Sequence, residues 1–420
     1  MTPFPASARR AHLQRGLILG VFALLVCVRM PEILLKGRFW AEEGRNFFHA
    51  AWVMPPLQAL FNSYGGYLNI VANASTLAAR WIMPLPLAPY LTIAIALLFQ
   101  LLPPLLLLTS RDAWLQPQIV RFGGILLLLL APGSGEIWLQ TLHCQFELAL
   151  CSAMILALDV PAGRAAAGRL AILLLAPLCG PGAIVLAPLF LMRAAMDRTP
   201  ERLVQALTLL AGSAIQLLLF FHSFSERGYT LNPLILLWIV ALRHLAVPFL
   251  GLSRAAALLA AMRLQLTAGR LPIPILMTVL PILVFVPFGW ATLRRRSQYP
   301  AFWLLASGIL IGTAGYYGAI GGATGLFDVH FGERYVYVPQ ALFGLAALIL
   351  AATATGWTAR IASVAVIWLI VVGAMDFERP WKPASDGPSW RAEVAAWKRD
   401  PTHMLRLWPD GWSMTLEPHS

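Results

Sequence analysis

Long apolar runs recur along this chain, and the connections between them collect Arg, Gly and Pro. A helix of about 20 apolar residues crosses some 30 Å of hydrocarbon. The pattern predicts spans at 16–35, 88–108, 119–131, 143–160, 168–180, 182–193, 203–222, 271–292, 300–318, 335–352 and 359–376. Several are short, notably 119–131 and the pair broken by Gly180-Pro181-Gly182. Helices that short need a thinned bilayer, or burial among other helices around a cavity that dips into the membrane. The stretch 232–270 is apolar but interrupted by Arg243, His244, Pro248, Arg254 and Arg263. Topological parity allows it no spans or two, and interfacial helices are expected. The expected fold is all-α, a polytopic transmembrane helical bundle of about 11 spans. It covers residues 1–376, with outer loops at 36–87 and 319–334 and interfacial juxtamembrane helices. A small Trp-rich outer tail, 377–420, is too short for a core of its own and is expected to pack on the bundle.

Composition agrees with that pattern. Of 420 residues 59% are hydrophobic and only 12% charged, and mean hydropathy is +0.71. A soluble domain of this size carries far more charge. The net charge of +12 is mostly Arg, clustered at 9–15, 164–169, 193–202 and 294–296. This is the positive-inside pattern of cytoplasmic loops, so the basic balance points to the lipid bilayer and not to nucleic acid. The N-terminus is then cytoplasmic, with residues 1–15 a basic tail. The first span, which lacks a small-residue cleavage site, reads as a retained anchor. Cys27, Cys144, Cys151 and Cys179 lie in or beside apolar runs and read as packing residues.

Polar groups with chemical potential gather in the connections predicted to lie outside. Residues 38–52 read Arg-Phe-Trp-Ala-Glu-Glu-Gly-Arg-Asn-Phe-Phe-His-Ala-Ala-Trp. Wound as a helix, they place Trp40, Gly44, Phe47, Phe48 and Ala51 on one face and Glu42, Arg45, Asn46 and His49 on the other. Either this is an interfacial helix holding Glu42 and Glu43 at the bilayer rim, or a solvated turn in which they pair with Arg38 and Arg45. Residues 64–80, opening Tyr64-Gly-Gly-Tyr67, predict a second juxtamembrane helix. In the loop at 132–146, Glu136 and Gln140 share one side of a helical turn, His143 follows, and Glu147 enters the next span, where a carboxylate is costly. The loop at 222–230 contains Glu226 and Arg227 and is equally an ordinary connection. In the loop at 319–339, three glycines precede Asp328 and His330 and a fourth precedes Glu333 and Arg334, with Tyr335 and Tyr337 opening a span. A guanidinium at headgroup level binds a phosphate with two parallel bonds, or snorkels to a lipid.

These residues together resemble the GT-C superfamily of integral-membrane glycosyltransferases. The features are the acidic, aromatic first outer loop, Tyr64-Gly-Gly-Tyr67, a second outer loop with Glu and His, the Gly-Pro break, and the late Glu333-Arg-Tyr-x-Tyr-x-Pro339. The resemblance covers 36–192 and 328–340 best. It implies a polyprenyl-phosphate-linked sugar as donor, with an acidic residue of the first outer loop serving the acceptor. That role falls on Glu42 or Glu43, although many relatives carry Asp there. Arg334 matches the position that holds the carrier phosphate, flanked by Glu333 and Tyr335, with Glu136, His143, Tyr64 and Tyr67 expected near the substrates. Some members use a divalent metal, but no ligand set in this chain compels one. The implied home is a bacterial inner (plasma) membrane, with the active site on the periplasmic side.

The chemistry asks for the same parts. A lipid-linked sugar needs a cavity reaching into the membrane, a cation for the leaving phosphate and a general base for the acceptor hydroxyl. Attack opposite the phosphate inverts the anomeric centre. Two other functions remain open, a transporter or flippase of lipid-linked glycan and a glycan ligase or polymerase. Transporters commonly show inverted repeats and charge at mid-membrane. Here no repeat is evident and charge concentrates at the rim.

Overall fold

The computed structural model describes residues 6–222, 232–270, 272–319 and 322–418. Apart from His222, the loop at 222–230 lies outside the described residues, as do Ile320 and Gly321 of the 319–339 loop. The chain is nearly all helix and divides into two compact units. The first comprises Met1–Thr109, Trp138–Cys144 and Pro380–Ser420; the second comprises Ser110–Ile137 and Gln145–Arg379.

The first unit opens with α1 (Ala6–Arg29), and α2 (Pro31–Lys36) follows at once, with proline at its first turn. Gly37, at φ 53°, ends α2 by donating its N–H to the Ile33 carbonyl. Glu43–Phe48 wind as a π-helical turn into α3 (His49–Val53), and α4 (Pro56–Leu60) follows. The helix expected over 64–80 starts only at Ile70. Before it, β1 (Ser63–Tyr64) and β2 (Tyr67–Leu68) pair as a hairpin. Gly65 and Gly66, both at positive φ, form its two-residue turn, the backbone that a type I′ turn demands. Asn69 then caps α5 (Ile70–Ile82), its side-chain oxygen accepting from the Ala72 N–H. α6 (Ala88–Gln100) and α7 (Leu102–Thr109) form one apolar run.

The second unit contains α8 (Gln118–Leu129), α9 (Cys144–Ala157), α10 (Arg164–Leu175), α11 (Ala187–Asp197), α12 (Pro200–His222) and α13 (Pro233–Val240). After a π-helical turn at Ala241–Ala246 come α14 (Val247–Leu250), α15 (Leu252–Thr267), α16 (Pro272–Leu293), α17 (Tyr299–Tyr317), α18 (Glu333–Thr353) and α19 (Gly356–Phe377). α18 is the axial helix. Its apolar window is 78% buried, against 17% for that of α16, and it packs on α17, α19 and α8. A helix apolar on all sides takes such a central place. Gly373 lets α19 approach the end of α8, since a Cβ there would run into the Leu130 carbonyl oxygen.

The C-terminal segment returns to the first unit through α20 (Trp390–Arg399) and the antiparallel pair β3 (Leu405–Arg406) and β4 (Ser413–Met414). Trp390, Val394, Leu405, Leu407 and Met414 share a core with Phe39, Phe48, Ala79 and Ala88. Trp381 stacks on Trp40 at 5.0 Å. Buried Arg38 donates to the carbonyls of Asp386 (2.8 Å), Arg406 (3.3 Å) and Leu407.

Among the described residues seven segments are long and apolar enough to cross a membrane, the mark of an integral membrane protein. Six coincide with expected spans. The seventh, Pro233–Leu250, falls where interfacial helices are expected. Its Arg243 and His244 are buried and hydrogen-bonded inside the unit. The runs at 118–129 and 141–157 form shorter apolar helices, and α10, α11 and α17 fall short in length or apolarity.

Candidate functional site

The acidic stretch at 38–52 is interior. The π-helical winding turns Glu43 inward with Gly44, Phe47 and Phe48, leaving Glu42 half-buried and Arg45 exposed. Only Gly fits at 44, because a Cβ would stand 2.6 Å from the Leu407 side chain. The Glu43 carboxylate is 2% exposed and accepts from both the backbone N–H (2.9 Å) and the hydroxyl of Thr141. Burial raises its pKa above the ordinary carboxylate range, and the Thr141 hydrogen bonds oppose that rise without cancelling it. A carboxylate held only by neutral donors keeps its appetite for a proton.

The segment that presents Thr141 is itself fixed. Leu139 sits at φ 60°, a strained backbone for a leucine. Asn69, while capping α5, donates to the Leu142 carbonyl at 3.0 Å. His143 is buried in the same short turn, Thr141–His143. Tyr64 packs edge-on against Phe47 at 6.1 Å, and Tyr67 faces Tyr64 across the hairpin.

Glu136, Glu333, Arg334 and Tyr335 belong to the second unit. Glu136 and Gln140 do not share a helical turn. Glu136 lies in the turn Gly135–Ile137, whereas Gln140 is extended (φ −136°, ψ 129°) and precedes the next turn in the first unit. The Glu136 carboxylate pairs with the Arg334 guanidinium and accepts from the Arg334 backbone N–H at 3.3 Å. Its own N–H donates to the Glu333 carboxylate at 3.1 Å. Glu136 thus caps the start of α18 while Glu333 caps the turn Gly135–Ile137, each acid holding the other's element from 197 residues apart. The Arg334 guanidinium lies 4.9 Å from the Tyr335 ring centre, and Tyr335 packs edge-on against Phe146. Any incoming phosphate would have to compete with Glu136 for Arg334.

Three features escape a linear reading. Arg243, 1% exposed, donates to the carbonyls of Leu326 (2.9 Å), Val329 (2.8 Å), Phe331 (2.6 Å) and Asp328. It organises the loop before α18. Next to it His244 bonds Gln340 Oε1 at 3.0 Å and the Tyr316 hydroxyl. A pocket of about 290 Å³ is lined by Ser253, Arg254, Asp376 and Arg379, and Asp376 also accepts from the Gly133 N–H at 3.0 Å. A larger apolar cavity of about 980 Å³ runs beside α19. A lone Arg inside an apolar run is the one signal of this set visible in sequence.

Among the described residues no group of three or more His, Cys, Asp or Glu is placed to hold a metal ion. Comparison with known proteins finds no matching family, no similar curated protein and no similar solved structure.

Proposed function

We propose that this chain is an inverting membrane glycosyltransferase of GT-C type. It moves a sugar from a polyprenyl-phosphate carrier to a glycan, lipid or protein acceptor on the outer side of a bacterial inner membrane. The observation that carries the reading is Glu43, a buried carboxylate held by neutral donors in a chain of membrane-spanning helices. As the acceptor oxygen attacks the anomeric carbon, its proton passes to Glu43, and the bond from that carbon to the phosphate oxygen breaks. Negative charge then grows on the departing phosphate, and an arginine stabilises that growth more than the ground state. Within the second unit two settings can hold a phosphate. Arg334 carries the sequence resemblance but is engaged by Glu136, whereas Arg254 and Arg379 line a pocket with Ser253 and Asp376.

The test uses purified full-length protein in detergent, supplied with polyprenyl-phosphate sugars and a glycan acceptor, with no gradient. Donor consumption is expected. Glu43→Gln should lower turnover by about 10²–10⁴-fold while donor binding persists, and Glu42→Gln should leave turnover near wild type. Loss of phosphate binding in Arg254→Ala and Arg379→Ala, with Arg334→Ala retaining it, assigns the phosphate to the pocket; the reverse assigns it to Arg334. Normal turnover of Glu43→Gln would sink the reading. Transport is the second reading, favoured by the buried set Arg243, His244, Gln340 and Tyr316 within the helices of the second unit. Donor movement across vesicles without sugar transfer would select it.

A further inference from the structure

We propose that the apolar cavity beside α19 holds one anionic phospholipid of the inner leaflet, with its acyl chains along the helix and its phosphate on Arg360. The inner-leaflet assignment rests on the topology proposed above; the lipid site does not rest on the transferase chemistry.

The cavity, about 980 Å³, is bounded by α14, α16, α18 and α19. That is the upper end of the range for small-molecule pockets, and its walls are Phe, Leu, Val, Ile, Ala and Trp with few polar groups. Along α19 its lining runs from Trp357 to Leu369, and along α18 from Gln340 to Leu350. At 1.5 Å per residue these are about 18 Å and 15 Å, the depth of one leaflet of a bilayer about 30 Å thick. A chain as long as a polyprenyl carrier would outrun it, whereas acyl chains fill it.

The one charged group of the lining marks which way round the lipid sits, since His244 and Gln340 at the far end are hydrogen-bonded to each other. Arg360 and Thr358 line the end at the start of α19, where Arg360 stands 5.4 Å from the centre of the Trp357 ring. Trp357 is 75% exposed, the habit of an aromatic at the headgroup level. The start of α19 adds N–H groups and a favourable dipole for an anion. In the topology expected from the sequence, with no span or two at 232–270, this is the cytoplasmic end, where Arg294–Arg296 leave α16. At the other end Trp368 donates to the Phe249 carbonyl at 3.0 Å, and both residues also line the smaller pocket of Arg254 and Arg379. That partition stands between the lipid chains and the pocket of Arg254 and Arg379.

Native mass spectrometry of the full chain in detergent tests this, with phosphatidylglycerol, phosphatidylcholine and a polyprenyl phosphate added in turn. One phosphatidylglycerol per chain should be retained, at least tenfold over phosphatidylcholine. Arg360→Ala should erase that preference, Arg360→Lys should keep part of it, and Ala365→Trp, which fills the cavity, should abolish retention of either lipid. If Arg360→Ala fails to fold, Arg360→Lys and Ala365→Trp decide. Equal retention of both phospholipids, unchanged retention in Ala365→Trp, or displacement of phosphatidylglycerol by an equal concentration of polyprenyl phosphate would overturn the proposal. Sugar transfer plays no part in the readout, so failure of the lipid site and failure of the transferase reading are distinguishable.

Discussion

Glu43 and Glu136 are both nearly buried carboxylates, and the two units treat them oppositely. In the second unit Glu136 faces Arg334, caps α18 and is electrically settled. In the first, Glu43 rests on the hydroxyl and N–H of Thr141. A carboxylate bound to a guanidinium has spent its charge on the fold, and both partners become structural. One bound by neutral donors in a desolvated place still gains from a proton. The contrast leaves Arg334 engaged by Glu136 and Glu43 held by neutral donors alone.

The largest effect should come from breaking the paired side. Glu136→Gln leaves half-buried Arg334 without its charged partner, at a cost of about 3 kcal/mol, the low end for a buried pair. A double variant, Glu136→Gln with Arg334→Gln, should recover much of it, as read by unfolding in detergent through a double-mutant cycle. Purely additive losses would mean that the pair is not coupled. On the unpaired side Thr141→Val removes one hydrogen bond to a carboxylate and should cost about 1.5–3 kcal/mol, pushing the Glu43 pKa further up.

The pH dependence is smaller but its sign is diagnostic. Because burial raises the Glu43 pKa, the folded chain binds more protons there than the unfolded one. Its contribution is therefore full below the unfolded value of about 4.3 and is lost as pH rises through the folded value. Glu43→Gln should flatten that decline, and in the wild type the rising limb of turnover against pH should lie above the ordinary carboxylate range. Smallest of all, Glu42→Gln, at a half-buried position one residue away, should stay within about 0.5 kcal/mol of wild type.

Helical periodicity and apolar run length were enough to read an all-α membrane chain and most helix positions, because both are local properties. The π-helical winding that turns Glu43 inward is not local. It packs under Leu407, which closes over Gly44 from more than 360 residues away in sequence. The Glu136–Arg334 pair, 198 residues apart, was equally invisible. The hairpin at Tyr64-Gly-Gly-Tyr67 was legible in its paired glycines, but its two-residue strands were masked by the helix-like run that follows. Segment 233–250 is ambiguous in sequence because its charges are read there without their partners. Arg243 inside an apolar helix reads as a surface anchor until the four carbonyls that accept from it are seen.

Those four carbonyls also impose an order on how the chain is assembled. Arg243 is synthesised more than 80 residues before Leu326, Asp328, Val329 and Phe331. Until they arrive its guanidinium is a charge without acceptors, and such a charge is expelled from hydrocarbon. The segment around it must wait in the insertion machinery or at the membrane surface while α15, α16 and α17 are made. A nascent chain halted at residue 300 should therefore leave 233–250 extractable by alkali, and one halted after α18 should hold it fast.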